Sequence, residues 1–175
     1  MLGARPVERA GAVAYDLRRE EPGDAWEVEA LFDLCFAPGR EALSSYRLRE
    51  GVAPLAGLCC VARDPDGVLA AAIRYWPVRV GEAAALLLGP IAVHPTRQGE
   101  GLGALMLQES LGRAAAAGHR RVLLVGDAPY YGRFGFSRLD GVEMPPPTNP
   151  ARVLGLPLVP GAWDGVAGPV GQWRP

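Results

Sequence analysis

Gln98-Gly99-Glu100-Gly101-Leu102-Gly103 is the stretch whose residue types and spacing most directly imply chemistry. Three glycines in five residues leave little side chain, so backbone N–H groups can converge on a ligand. An apolar strand-like run, Ala83 to Val93, leads in, and an alanine- and leucine-rich helical pattern leads out to Gly118. The loop therefore opens a helix, whose first turn carries unpaired N–H groups and the positive end of the macrodipole. Such a place takes an anion, and a phosphate or pyrophosphate is the natural one.

Two other phosphate-binding loops compete for this pattern. A P-loop needs Lys and then Ser or Thr after its last glycine, and here Ala104 and Leu105 follow Gly103. A dinucleotide fingerprint fits Gly99-x-Gly101-x-x-Ala104, with Asp127 ending the next strand. In that fold, however, the strand runs straight into the first glycine, whereas His94 to Gln98 intervene here. A dinucleotide-dependent oxidoreductase is the lesser reading. No His/Cys/Asp cluster has metal spacing, and no Ser–His–Asp pattern occurs.

The elements that must position the loop follow from periodicity. Val13 to Leu17 reads as a first strand after a loose start at residues 1–11. Asp24 and Glu27 suggest a capping box for a helix carrying Val28, Leu31, Phe32 and Cys35, ended by Pro38-Gly39. Arg40 to Glu50 reads as a second helix. Leu58 to Ala62, Val68 to Val80 and Ala83 to Val93 read as antiparallel strands, with Gly89-Pro90 a conflict that marks an edge or bulge. Leu102 to Ala117 is a helix with Leu102, Leu105, Met106 and Leu111 on one side and Gly118 at its C′ position. Val122 to Val125 reads as a buried parallel strand reached by a right-handed crossover, and Asp127 can cap a short helix carrying Tyr130 and Tyr131. Beyond the triple proline at Pro145–Pro147, Arg152 to Val159 and a closing hairpin over Val166 to Trp173 complete the pattern.

Size and composition bound the rest. At 175 residues the chain reads as one domain, 1–175, with its motif core at 86–136 and a proline-rich part at 144–175. With 49% apolar and 21% charged residues, it reads as an ordinary soluble protein. A net charge of −1 offers no broad pull on nucleic acid or anionic membrane. Cys35, Cys59 and Cys60 are odd in number and form no CxxC, which suits a reducing cytoplasm. No signal peptide or membrane-length apolar run is evident.

The loop and its surroundings resemble motif A of the Gcn5-related N-acetyltransferase (GNAT) superfamily, which grips the pyrophosphate of coenzyme A. Gln98, Gly101 and Gly103 fall on that motif. Ile91-Ala92-Val93-His94-Pro95 precedes it as in the family. Tyr130-Tyr131-Gly132-Arg133-Phe134-Gly135-Phe136 resembles the family's Phe-Tyr-Glu-Lys-x-Gly-Phe segment, as in small bacterial members. The resemblance implies an α/β fold, a twisted mixed sheet of about six or seven strands with about four helices and a bulged central strand splayed from its neighbour. It implies acetyl-coenzyme A as co-substrate, no metal, and transfer of the acetyl group to an amine by direct attack. The acceptor would be a small-molecule or protein amine, handled by a cytoplasmic monomer or homodimer. Cofactor contacts fall on Ile91, Ala92, Val93, Arg97, Gln98, Gly99, Glu100, Gly101, Leu102, Gly103 and Ala104; Arg133 could also reach a phosphate.

Tyr131 matches the family's tyrosine acid, which protonates the departing thiolate, while Tyr130 matches a packing phenylalanine. The family's Asn and Ala before that motif are replaced by Leu124 and Asp127. No glutamate stands between Ala83 and Val93, where several relatives carry a general base. Glu82, His94 and Asp127 are the nearby candidates, although His94 fits a turn and Asp127 a helix cap. A coenzyme A-binding sensor without turnover is therefore the alternative class.

Overall fold

The computed structural model describes residues 13–36 and 39–174. Its strands are β1 (Asp16–Arg19), β2 (Cys60–Arg63), β3 (Leu69–Val80), β4 (Ala83–Val93), β5 (Arg121–Val125), β6 (Ser137–Arg138), β7 (Val142–Glu143), β8 (Val153–Pro157) and β9 (Gly168–Gln172). Its α-helices are α1 (Ala25–Phe36), α2 (Ser44–Arg47), α3 (Leu102–Ala116) and α4 (Ala128–Gly132). The sheet runs β1-β2-β3-β4-β5-β8-β6, with β9 paired to the far end of β3 and β7 to β9. Along the main path every pairing is antiparallel except β4–β5, which α3 joins as a parallel crossover.

Alternation along the long strands sends residues to two layers. Ile73, Tyr75, Leu86, Leu88, Val122 and Leu124 pack beneath α3, against Leu102, Met106, Leu107 and Leu111. The Tyr75 hydroxyl shares a 2.8 Å hydrogen bond with Ser110 in that layer. On the opposite face, Val61, Ala72 and Ala92 meet Val28, Leu31 and Phe32 of α1. Gly118 ends α3 in the left-handed region, its N–H donating to Ala115 O and that of His119 to Ala114 O, so the last carbonyls are satisfied.

Three sequence expectations change. Asp24 is not an N-cap: it closes a 3-10 turn, Pro22–Asp24, capped by Glu21. Its carboxylate, 4% exposed, is drawn between Arg18 and Arg63, each at 2.7 Å. The segment from Arg40 to Glu50 is not one helix, because Leu43 is extended between a 3-10 turn and the single turn α2. Arg40 anchors it to α1 through Asp33 at 2.7 Å and Glu29 at 2.9 Å, rather than through an apolar stripe. The final residues form no hairpin with β8; β9 adds to β3 at Val78–Val80, where β2 has ended. The proposed stop at Pro38 and the start at residues 1–11 lie outside the described residues. The two-residue strands β6 and β7 are too short to carry a sequence pattern, so the sheet has nine described strands.

Arg18 first, then the Glu21 N–H and Arg63, hold the Asp24 carboxyl far below its usual range against the opposing effect of burial. Removing one partner of such a buried pair costs roughly 3–5 kcal/mol. Asp24→Ala is therefore expected to lower the melting temperature by roughly 6–20 °C, at about 2–4 °C per kcal/mol for a chain of this size. A depressed carboxyl contributes stability above its unfolded pKa of about 4 and loses it as pH falls toward the folded value. Wild type should thus lose stability below about pH 4 more steeply than Asp24→Ala in pH-dependent thermal melts.

Candidate functional site

β4 pairs with β3 in two blocks, Ala83–Leu88 and Ile91–Val93, and between them Arg74 alone faces Gly89 and Pro90. That two-against-one count is a bulge. Gly89 adopts φ +125°, a conformation that side chains disfavour, and the Trp76 indole donates to its carbonyl at 2.8 Å. β4 pairs with β5 only at Leu86–Val122 and Leu87–Leu123. Past that short pairing the two strands part, as the family resemblance implied, and the bulge stands where the conflict at Gly89-Pro90 marked an edge or bulge.

Backbone directions on the freed part of β4 follow from register. His94 N–H donates to Ala70 O, and directions alternate along an antiparallel strand. Ala92 therefore turns its backbone to β3, while Ile91 and Val93 turn theirs toward the gap. Gln98 Nε2 donates to Val93 O at 3.2 Å, tying the glycine loop to this edge, and Cys35 Sγ approaches the same oxygen at 3.4 Å.

The loop and the start of α3 meet there. Gly99 and Gly101 have φ of +85° and +77°, and a Cβ on either would find open space, so the backbone can be approached closely. Gly101 is the N-cap of α3 and supplies no side-chain cap. The first intrahelical bond comes from Leu105 N–H, leaving Leu102, Gly103 and Ala104 without intrahelical acceptors. Leu102 anchors the turn in the core. Gly103 sits so close to β4 that a Cβ would lie 3.4 Å from Val93 Cγ2 and 3.6 Å from the Tyr130 hydroxyl. Arg97 is held at 2.7 Å by Asp64, and the exposed Glu100 accepts from the Tyr15 hydroxyl. A 3-10 turn, Pro95–Arg97, separates β4 from the loop, unlike a dinucleotide fold.

α4 follows β5 directly and brings two tyrosines to the gap. Asp127 caps it, its Oδ2 accepting from Tyr130 N–H at 3.1 Å, so Asp127 is structural. Tyr131 packs edge-on against Phe136, with ring centroids 5.9 Å apart, and against Gly126, where any Cβ would collide with its ring. Its hydroxyl has no hydrogen-bond partner among the described residues. Burial pushes the phenol up to about 12, so it keeps its proton at neutral pH. Arg133 lies over the Tyr130 ring at 4.7 Å and forms no ion pair among the described residues. His94 is engaged with Thr96, Nδ1 to Oγ1 at 2.8 Å, and shapes the turn. Glu82 lies at the far β3–β4 turn, roughly 20 Å along the strand at about 3.3 Å per residue.

On the α1 face of the sheet, the bulge borders a cavity of about 260 Å³ lined by Phe32, Arg40, Tyr46, Arg49, Trp76 and Pro90, with Arg74 at its wall. Sequence reasoning missed this cluster. The single arginine in the apolar run Leu69–Val78 was its one available signal. No group of three His, Cys, Asp or Glu residues that could hold a metal occurs among the described residues.

Comparison with known proteins gives consistent matches. The family model of the acetyltransferase (GNAT) domain matches residues 16–139. The uncharacterized N-acetyltransferase YhbS of Escherichia coli strain K12 is 34% identical over 122 residues, covering 69% of this chain and 72% of that protein. The crystal structure of Escherichia coli YhbS in complex with CoA superposes with a TM-score of 0.80 at 27% identity, covering 95% of this chain and 94% of that one. A GNAT family acetyltransferase from Brucella melitensis in complex with acetyl-CoA gives a TM-score of 0.68 at 30% identity, covering 91% and 96%.

Gly103 has helical backbone and only ordinary contacts awaiting a Cβ. Gly103→Asp should therefore fold normally, by circular dichroism, yet place a carboxylate beside the N–H groups that would grip pyrophosphate. Calorimetry is expected to show coenzyme A affinity falling by at least tenfold, and wild-type affinity would remove the loop from the site.

Proposed function

Because the chain belongs to the GNAT acetyltransferase family, we propose that it moves the acetyl group of acetyl-CoA to an amine by direct attack, using the gap between β4 and β5. The observation that carries this reading is the meeting of two unpaired backbone sets: the first N–H groups of α3 and the open edge of β4. The helix start suits a pyrophosphate, and Gly99, Gly101 and Gly103 allow its approach. Ile91 and Val93 suit an extended arm laid along the strand edge, and a backbone N–H there suits a polarised carbonyl. Ala92 contributes packing rather than a backbone contact. Gln98 braces the loop to Val93 O, Leu102 anchors it, and Ala104 completes the helix start. Arg97 and Glu100 act at the rim, each already partnered by Asp64 and Tyr15.

Acetyl-CoA would supply an activated thioester. Tyr131, with its phenol held protonated, would supply the proton that the departing thiolate takes. The acceptor nitrogen would lose its proton to solvent, since no carboxylate or free imidazole of the described residues hydrogen-bonds into the gap. That lack favours a second reading, a coenzyme A-binding protein without turnover. Thiol release from acetyl-CoA across an amine panel separates the two. The chain is read as one catalytic domain working in the cytoplasm as a monomer or homodimer. Three unbridged cysteines support a reducing compartment, and no described helix is long and apolar enough to cross a membrane.

Tyr131→Phe should lower the single-turnover transfer rate by roughly 10²–10⁴-fold, the usual range for a lost acid, with acetyl-CoA affinity little changed. Tyr130→Phe should leave the transfer step intact. A phenol at about 12 stays protonated until strongly alkaline pH, so the wild-type rate should show no alkaline decline below about pH 11. An unchanged step in Tyr131→Phe, or a decline centred near pH 8, would remove this residue from the mechanism.

A further inference from the structure

Three guanidinium groups line the cavity beside the bulge, and their partners are unequally distributed. Arg74, 7% exposed, is gripped by Glu20 through two bonds of 2.6 and 2.9 Å and also by Glu29. Arg40 is gripped by Asp33 and Glu29. These two cations therefore have three carboxylates between them. Arg49 has none: its side chain makes no hydrogen bond or ion pair among the described residues, and its Nε is buried without an acceptor. Its neighbours are the Trp76 ring, 5.9 Å from the guanidinium carbon, and the bulge itself, where a Cβ on Gly89 would stand 3.2 Å from Arg49 Nη2. Glu50 also lines the cavity but is exposed and makes no side-chain bond to Arg49.

Arg49 is half-buried, only its Nε being closed to solvent without an acceptor, and a cation left without a partner there loses hydration that protein contacts do not replace. Burial pushes the Arg49 guanidinium down to about 10, opposed by Tyr46 and reinforced by Arg40 and Arg74, which leaves it charged at neutral pH. A planar guanidinium with donors unpaired among the described residues, in the lining of a small cavity, is matched by a carboxylate that can accept two parallel N–H bonds. The bulge fixes the relation to the chemistry. Pro90 of the bulge lines this cavity, and the bulge directly follows the last residues at which β4 pairs with β5. A molecule with its anionic end at Arg49 thus has its other end at the place where β4 becomes free.

We infer that the acceptor is an amino acid-like molecule carrying a carboxylate near its amine, and that Arg49 is the specificity-determining residue that receives this carboxylate. The inference rests on the transferase reading for the identity of the reacting end, whereas the anion seat itself depends only on Arg49. Trp76, fixed by its bond to the Gly89 carbonyl, and the rings of Phe32 and Tyr46 leave an apolar wall for the link between the two ends.

The test pairs each amino acid with its decarboxylated amine: glycine with methylamine, β-alanine with ethylamine, γ-aminobutyrate with propylamine, phenylalanine with phenethylamine. Thiol release from acetyl-CoA gives kcat/KM, and calorimetry of the same compounds gives binding with and without coenzyme A. At least one acid should exceed its amine by about 10–100-fold, the size of a charge-assisted hydrogen bond. Arg49→Gln should erase that ratio and Arg49→Lys should keep part of it, in variants that still bind coenzyme A. Because the cation is unmatched, Arg49→Met should also raise the melting temperature, the reverse of what loss of a structural arginine does. Equal use and binding of acids and amines by wild type, survival of the ratio in Arg49→Gln, or binding by no member of the panel would overturn the inference. Failure of the transferase reading looks different: no coenzyme A binding and no thiol release, with acids still distinguished by calorimetry.

Discussion

Arg74 in β3 faces two residues of β4, and the shape of the site follows from that mismatch. A regular sheet satisfies every backbone group with a neighbouring strand and leaves nothing for a ligand. Here β4 keeps its antiparallel partner on one side through the bulge, so the sheet remains continuous. On the other side it holds β5 for only two residue pairs and then turns free. The open edge is tolerable because the gap is bordered by the start of α3 and by α4, which exclude other strands. Gly89 makes the bulge possible at φ +125°, and Trp76 secures it from β3 by donating to the Gly89 carbonyl.

The same bulge explains why charge is concentrated on one layer. Apolar packing on the α3 face is continuous, with Tyr75 and Ser110 satisfying each other. On the α1 face, Arg74 lies directly at the bulge, and its charge recruits Glu20 and Glu29; Glu29 in turn engages Arg40 and fixes the segment before α2. Asp24 does the equivalent for β1 and β2 through Arg18 and Arg63. These pairs contribute little net stability over apolar packing, but each is strongly destabilising to break, so they specify one arrangement of α1 over the sheet. Arg49 stands apart from that balance.

Much of this was legible in the sequence, for identifiable reasons. The glycine loop, the helix from Leu102 and the C′ glycine at Gly118 declare themselves through spacing, because backbone geometry restricts which residues can stand there. Gly89-Pro90 declared the bulge by violating strand chemistry. Asp127 was readable as a cap because capping is local. Pairings made over long separations were not legible. The union of β9 with β3, the capture of Asp24 by two arginines and the Arg40–Glu29–Asp33 cluster depend on which faces meet after folding. The broken helix after Arg40 belongs to the same class, since ion pairs to α1 override its local pattern. Tyr130 shows the limit within a motif: its hydroxyl stands where a Cβ on Gly103 would meet it at 3.6 Å, a placement that its position in the segment did not reveal.

The central claim is that one gap, bounded by the free edge of β4 and the first turn of α3, holds the acyl donor. Amide hydrogen exchange with and without coenzyme A tests it directly, because it reads the backbone N–H groups themselves. The expected result is slowed exchange at Ile91, Val93 and residues 99–104 on saturation with coenzyme A, with β1 and β2 unchanged. Protection confined to other elements, or no protection at saturation, would contradict the account.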